Sequence, residues 1–244
     1  MFILKGAQML RVWNGPAARP TMDIDLLGKI ENNTENIKEI MSECCYIKIN
    51  DGVDFDVASI AAETIRQESD YQGVRVTAKG SLGSIRLYLQ IDIGFGDVVI
   101  PEPVEIELPQ LLDFGKPVLM GYTPESTIAE KFQAMVVLDM VNTRMKDFYD
   151  IWLLSETLDL DIINLTAAIR ETFARRHTSL PDSIPTVLTP AFTSDETKKM
   201  QWQAFLRKNR LDNSIGLDEV ADKIASLLLP LIAPDKHDRG HTDV

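Results

Sequence analysis

Cysteine is almost missing from this chain: the only two, Cys44 and Cys45, are neighbours among 244 residues. Adjacent cysteines make a poor staple and, without further ligands, a poor metal site, so a core must hold the fold and a reducing cytoplasm is the expected compartment. Histidine is nearly as scarce, and His177, His237 and His241 stand at no ligand spacing from cysteines or carboxylates. No run approaches the ~20 consecutive apolar residues of a membrane span, and the opening "MFILKGAQML" lacks the cleavage region of a secretory signal. Positive charge is also short, with 25 Lys and Arg against 37 Asp and Glu and a formal net charge of −12. Sequence-independent nucleic-acid affinity comes mostly from Lys and Arg on phosphates, so this whole-chain balance argues against a generic polyanion binder.

One local exception is "KKMQWQAFLRKNR" at 198–210, with five basic residues, no acid, and Trp202 and Phe205 interleaved. It reads either as a nucleic-acid surface or as an amphipathic helix that turns Trp202, Phe205 and Leu206 inward. The 45% hydrophobic content is enough for one substantial core or two modest ones.

From residue 2 to about 110, short β-like runs mix with one or two helices. "FILKG" leads into a helix-like "AQMLRVW"; then come "TMDIDLLG", a polar helix around "NTENIKEIM", "VRVTAKGSLGSIRLYLQIDIGF" and "VEIEL". Period-two alternation in "IRLYLQIDI" sets Ile85, Leu87, Leu89, Ile91 and Ile93 on one face and Arg86, Tyr88, Gln90 and Asp92 on the other. "LGSI" at 82–85 reads as part of a turn between antiparallel strands. After "DFGKPVLMGYTPE" apolar residues recur at helical spacing, with Pro124 suited to a first turn and Thr123 to its cap. The expected fold is α+β over 1–118, followed by an all-helical part over 119–244 with a polar, frayed end.

Within this pattern, "TMDIDLLG" holds two like charges one residue apart. On a strand Asp23 and Asp25 project from one face while Ile24 turns to the core. Carboxylates this close stay ionised together only with a cation or strong donors between them, and hard oxygen ligands suit Mg²⁺ or Mn²⁺. Asp92 repeats the arrangement in "LQIDIG", as a third ligand or a general base. A charged face on an edge strand is the plain alternative for all three.

Upstream, Gly6 and Ala7 in "LKGAQML" sit where a strand turns into a helix, where backbone amides can cradle phosphate or glycine merely eases the turn. Downstream, Lys131 falls among core-forming residues of a helix. Asp147 and Asp150 share a face of the next helix, preceded by Arg144 and Lys146. Capping by Asp147 and surface ion pairs are an adequate account of Asp150, though not of Lys131.

Taken in order, "FILKGAQMLRVW...RPTMDIDLLG", "LQIDIGFGD", "TPESTIAEKFQAM" and "RMKDFYDIWLL" resemble the AbiEii/AbiGii toxin family of nucleotidyltransferases, within the polymerase-β-like superfamily. The resemblance runs from about residue 2 to 160. It implies a polymerase-β-like nucleotidyltransferase domain with a small mixed sheet flanked by helices. Asp23, Asp25 and Asp92 would be the metal-binding and catalytic carboxylates, and Gly6 and Ala7 the phosphate-facing turn. Lys131 would contact the triphosphate of an NTP, with Arg144, Lys146 and Asp147 beside the nucleotide.

The resemblance further implies transfer of a nucleoside monophosphate to RNA, tRNA included, or to protein, with release of pyrophosphate. It points to a cytoplasmic toxin of a toxin–antitoxin or abortive-infection phage-defence module, with a cognate antitoxin as partner. The chain departs from the wider pattern in having Ala7 where serine is common, a longer spacing from Gly6 to Asp23, and a first strand that begins at residue 2. A weak or inactive nucleotide-binding relative that sequesters a basic protein partner is the alternative.

Overall fold

The apolar run Phe2–Lys5 forms β1 and stops at Gly6, whose φ of 70° and ψ of −155° lie in a region that only glycine enters readily. The chain then turns directly into α1, Ala7–Asn14, which buries Ala7, Met9 and Leu10. This is a computed structural model, and it describes residues 1–15, 19–66, 72–110 and 112–232. The polar end, with His237 and His241, lies outside the described residues.

Met1–Thr123 form one compact unit and Pro124–Val244 a second. The first contains β2 (Ile24–Gly28), α2 (Thr34–Tyr46), β3 (Val53–Arg66) and β4 (Gln72–Leu82) after α1. It continues with β5 (Ile85–Phe95), β6 (Val104–Glu107) and β7 (Val118–Gly121). All seven strands join one mixed sheet in the order β3-β4-β5-β2-β1-β7-β6, so the fold is mixed α/β. The β2/β5 and β1/β7 pairs are parallel and the other four antiparallel.

Local sequence explains much of this sheet. Leu82 pairs with Ile85 across a tight turn at Gly83 and Ser84, with Gly83 at a φ of 59°. The alternating residues of β4 and β5 then send Val74, Val76, Ala78, Ile91 and Ile93 into a core with Ile37 and Met41 of α2. α2 is started by Asn33, whose side chain accepts from the Asn36 amide at 3.0 Å.

β3 was not singled out by the sequence. Its "VDFDVASIAAETIR" is rich in residues poor at forming strands, and its pairing with β4 shifts register between Asp56 and Ala61, which breaks the period of two.

In the second unit the described elements include α3 (Pro124–Leu138), α4 (Met145–Thr157), α5 (Ile162–Arg175), α6 (Pro190–Thr193), α7 (Glu196–Asn209) and α8 (Leu217–Ile232). Asp161 and Asp195 cap α5 and α7 by accepting from backbone amides. Phe132 packs on Phe173 and Phe148 stacks on Phe192, with ring centroids 5.6 and 5.4 Å apart. Among the described residues no helix is long and apolar enough to cross a membrane.

Candidate active site

Asp25 and Asp92 are direct partners across the parallel β2/β5 pair, and Asp23 lies in the bend that leads into β2. The three carboxylates, all half-buried, each offer an oxygen, and these oxygens lie within 4.8 Å of one another. That span is close to the ~4 Å between opposite oxygens around a Mg²⁺ ion. Three hard, anionic donors converging at partial exposure fit a divalent cation.

Each aspartate is held from outside. Thr21 Oγ1 donates to Asp23 Oδ1 at 2.5 Å. Arg75 of β4 grips Asp92 with both arms, Nε to Oδ1 and Nη2 to Oδ2, each at 2.7 Å. This fork fixes the plane of the carboxylate. The hydrogen bond to Asp92 is also the main reason that the Arg75 pKa is raised, with burial opposing it and the charges of Asp92, Glu63 and Asp23 adding to it.

Asp25 is backed by Gly6: a Cβ built at Gly6 would lie 2.0 Å from Asp25 Oδ2. The turn from β1 to α1 thus presses its backbone against the carboxylate, and no side chain fits between. Lys5 stands opposite Asp25 in the β1/β2 register, with its ammonium on Asp97 Oδ2 at 2.9 Å and over the Tyr122 ring at 4.9 Å. Glu63, Arg75, Asp92, Asp25 and Lys5 therefore form one cross-strand row over five neighbouring strands. Ala7, the first residue of α1, is buried and brings no hydroxyl.

Sequence reasoning did not name Arg75, though a signal existed. Stepping equally back along β4 and forward along β5 from the Leu82–Ile85 pair brings Arg75 opposite Asp92.

The second unit holds the other predicted residues. Lys131 Nζ bridges Asp147 Oδ1 at 2.8 Å and Asp150 Oδ2 at 2.7 Å, and Arg144 Nε also donates to Asp147. Both aspartates are fully buried. Burial alone would raise the Asp147 carboxyl, but Lys131 and Arg144 outweigh it and hold the pKa at about 2. The account of Asp150 by surface ion pairing is therefore corrected: its pairing is internal, because α4 turns the Asp147–Asp150 face onto α3. Lys146 is exposed.

The basic stretch forms α7, with Trp202 and Leu206 buried and Arg207 and Lys208 exposed in its last turn. Lys198 is buried too, donating to the Asn142 carbonyl at 2.8 Å and lying over Phe192.

Two solved structures from Helicobacter pylori share this fold. JHP933 is 15% identical with a TM-score of 0.54, over 94% of this chain and 83% of that one. A candidate nucleotidyltransferase is 14% identical with a TM-score of 0.52, over 94% and 85%. Likeness at this identity defines the class of fold, a mixed α/β architecture similar to nucleotidyltransferase structures. No curated protein sequence matches the chain. A family model described as "Nucleotidyl transferase AbiEii toxin, Type IV TA system" matches residues 1–223. The chain belongs to this AbiEii family of nucleotidyltransferase toxins of type IV toxin–antitoxin systems.

Proposed function

We propose that the protein is a metal-dependent nucleotidyltransferase of polymerase-β-like layout, with a helical second domain. It transfers a nucleoside monophosphate from an NTP to an RNA acceptor such as tRNA, or to a protein. The observation that carries this reading is the convergence of Asp23, Asp25 and Asp92 beside the Gly6 turn, in a chain of this family.

In the reaction a hydroxyl of the acceptor attacks the α-phosphorus of the NTP, the bond to the bridging oxygen breaks, and pyrophosphate leaves. Mg²⁺ or Mn²⁺, held by the three aspartates, would neutralise charge on the phosphate oxygens. Asp23, at the entry to β2, and Asp25 on it supply the anionic site, and Arg75 of β4 holds Asp92 of β5 in a fixed orientation. Gly6 lets the backbone at the start of α1 come close enough to serve phosphate with amides alone.

Lys131, Arg144, Lys146 and Asp147 are assigned to the nucleotide on the strength of the family motif. In that role Asp147 and Asp150 position the Lys131 ammonium through the two bridges already described. The toxin works in the cytoplasm in a phage-defence or toxin–antitoxin module, with a cognate antitoxin as partner.

Purified protein with Mg²⁺ or Mn²⁺, each labelled NTP and total bacterial RNA or lysate tests the reading. Label should enter the acceptor with the wild type and fall by at least about a hundredfold with Asp23→Ala or Asp25→Ala. Undiminished transfer by Asp25→Ala would refute the mechanism, and nucleotide binding without transfer would favour the sequestering alternative.

A further inference from the structure

One face of β4 and β5 is left to solvent beside the carboxylates. Val74, Val76 and Ala78 face the α2 core, so Arg75, Thr77 and Lys79 stand on the opposite side. The register sets Asp92, Gln90 and Tyr88 directly against them, and Arg86 against Ser81. Tyr88 is 65% exposed, and Lys79 and Arg86 are exposed as well. Among the described residues the Lys79 ammonium, the Arg86 guanidinium and the Tyr88 hydroxyl have no hydrogen bond or ion pair. In a chain with a net charge of −12, two uncommitted cations flanking a bare aromatic ring form a local reversal of sign.

We propose that this face is the acceptor track, on which the single-stranded end of an RNA lies with a base stacked on Tyr88 and phosphates on Lys79 and Arg86. The inference deepens the nucleotidyltransferase reading and rests on it. Side chains on one face recur every ~7 Å along a strand, which is the scale of one nucleotide in an extended chain. The four steps along β5 from Tyr88 to Asp92 cover ~13 Å, so a strand bound at Tyr88 brings its terminal hydroxyl to the carboxylates. Stacking on aromatic rings with Lys and Arg along the backbone is how single strands are held without base reading. Asp56 and Glu63 stand opposite Lys79 and Arg75 on β3 and repel phosphate, which confines the track to β4 and β5.

The test is anisotropy of a fluorescein-labelled 12-nucleotide single-stranded RNA with the full chain, without NTP or metal, over a range of salt. Lys79→Ala with Arg86→Ala should lower the slope of log K against log salt by about 1.4, as expected for two lost phosphate contacts. Tyr88→Ala should weaken binding about tenfold or more, while Tyr88→Phe keeps the ring and stays close to the wild type. Arg207→Ala with Lys208→Ala on α7 should change neither quantity.

Wild-type affinity and slope in the β4–β5 variants would overturn the track. So would loss confined to the α7 variant, failure of the wild type to bind RNA, or labelling of protein in place of RNA. Asp25→Ala separates the two readings. If it still transfers nucleotide, the proposed chemistry fails while RNA anisotropy continues to judge the track.

Discussion

At the scale of single residues, the tightest constraint is the contact of Gly6 with Asp25. A side chain at position 6 meets two penalties: a φ of 70° and a Cβ 2.0 Å from Asp25 Oδ2. The backbone penalty alone is about 1–3 kcal/mol for an L-residue. The second penalty displaces the carboxylate. Gly6→Ala should therefore lower the unfolding free energy by at least that amount in urea titration and weaken Mn²⁺ binding by calorimetry. Unaltered Mn²⁺ affinity would mean that Asp25 is not a ligand. The sequence showed Gly6 and Asp25 each as candidates, because a glycine at a strand-to-helix turn and an Asp-x-Asp on a strand are local signals. Their contact was not legible, since it depends on β1 and β2 pairing so that Lys5 faces Asp25.

At the scale of elements, α3 and α4 are joined by a charged clasp. Lys131 on α3 bridges Asp147 and Asp150 on α4, and both carboxylates are fully buried. That one ammonium pairs with both desolvated anions, and Arg144 pairs with Asp147 as well. Removing one partner of a buried pair costs about 3–5 kcal/mol, because the charge left behind has no water. Lys131→Met should thus destabilise the protein by about that much in urea titration, whatever it does to transfer. A loss under 1 kcal/mol would show that the cluster opens to water. Sequence periodicity placed Lys131 among core residues and Asp147 and Asp150 on one face, but the depth of that face followed only from the packing of α4. The same elements show where periodicity fails. α1, α2, β4 and β5 follow their patterns, while β3, with its irregular register, does not announce itself.

At the scale of the whole molecule, the excess of acid makes pH the natural probe. Lys131 and Arg144 hold the folded-state pKa of Asp147 at about 2, below the 3.8 of an ordinary aspartate. Its contribution to stability is therefore fully present above about pH 4 and is lost as pH falls toward 2. The difference corresponds to about 2 kcal/mol. Asp147→Asn should be less stable than the wild type at pH 7, and its stability should fall less steeply between pH 4 and 2. Parallel acid limbs in denaturant titrations of the two proteins would remove this assignment. The exposed α7 cations, by contrast, contribute little to stability, because surface charge is screened by water and salt.

What the sequence determined by itself is local. The period of two in β5, the tight turn at Gly83 and the cap at Asn33 are all written within a few residues, because they depend on backbone sterics and on hydrogen bonds between near neighbours. The ordered motifs also carried the family, which the match over residues 1–223 shows. The tertiary structure alone decided that β2 and β5 run parallel with Asp25 beside Asp92, and that Asp147 and Asp150 are fully buried. A parallel pair has no connecting turn to set its register, and burial is a property of what packs from elsewhere. Both are settled by contacts between segments distant in sequence, which no local pattern encodes.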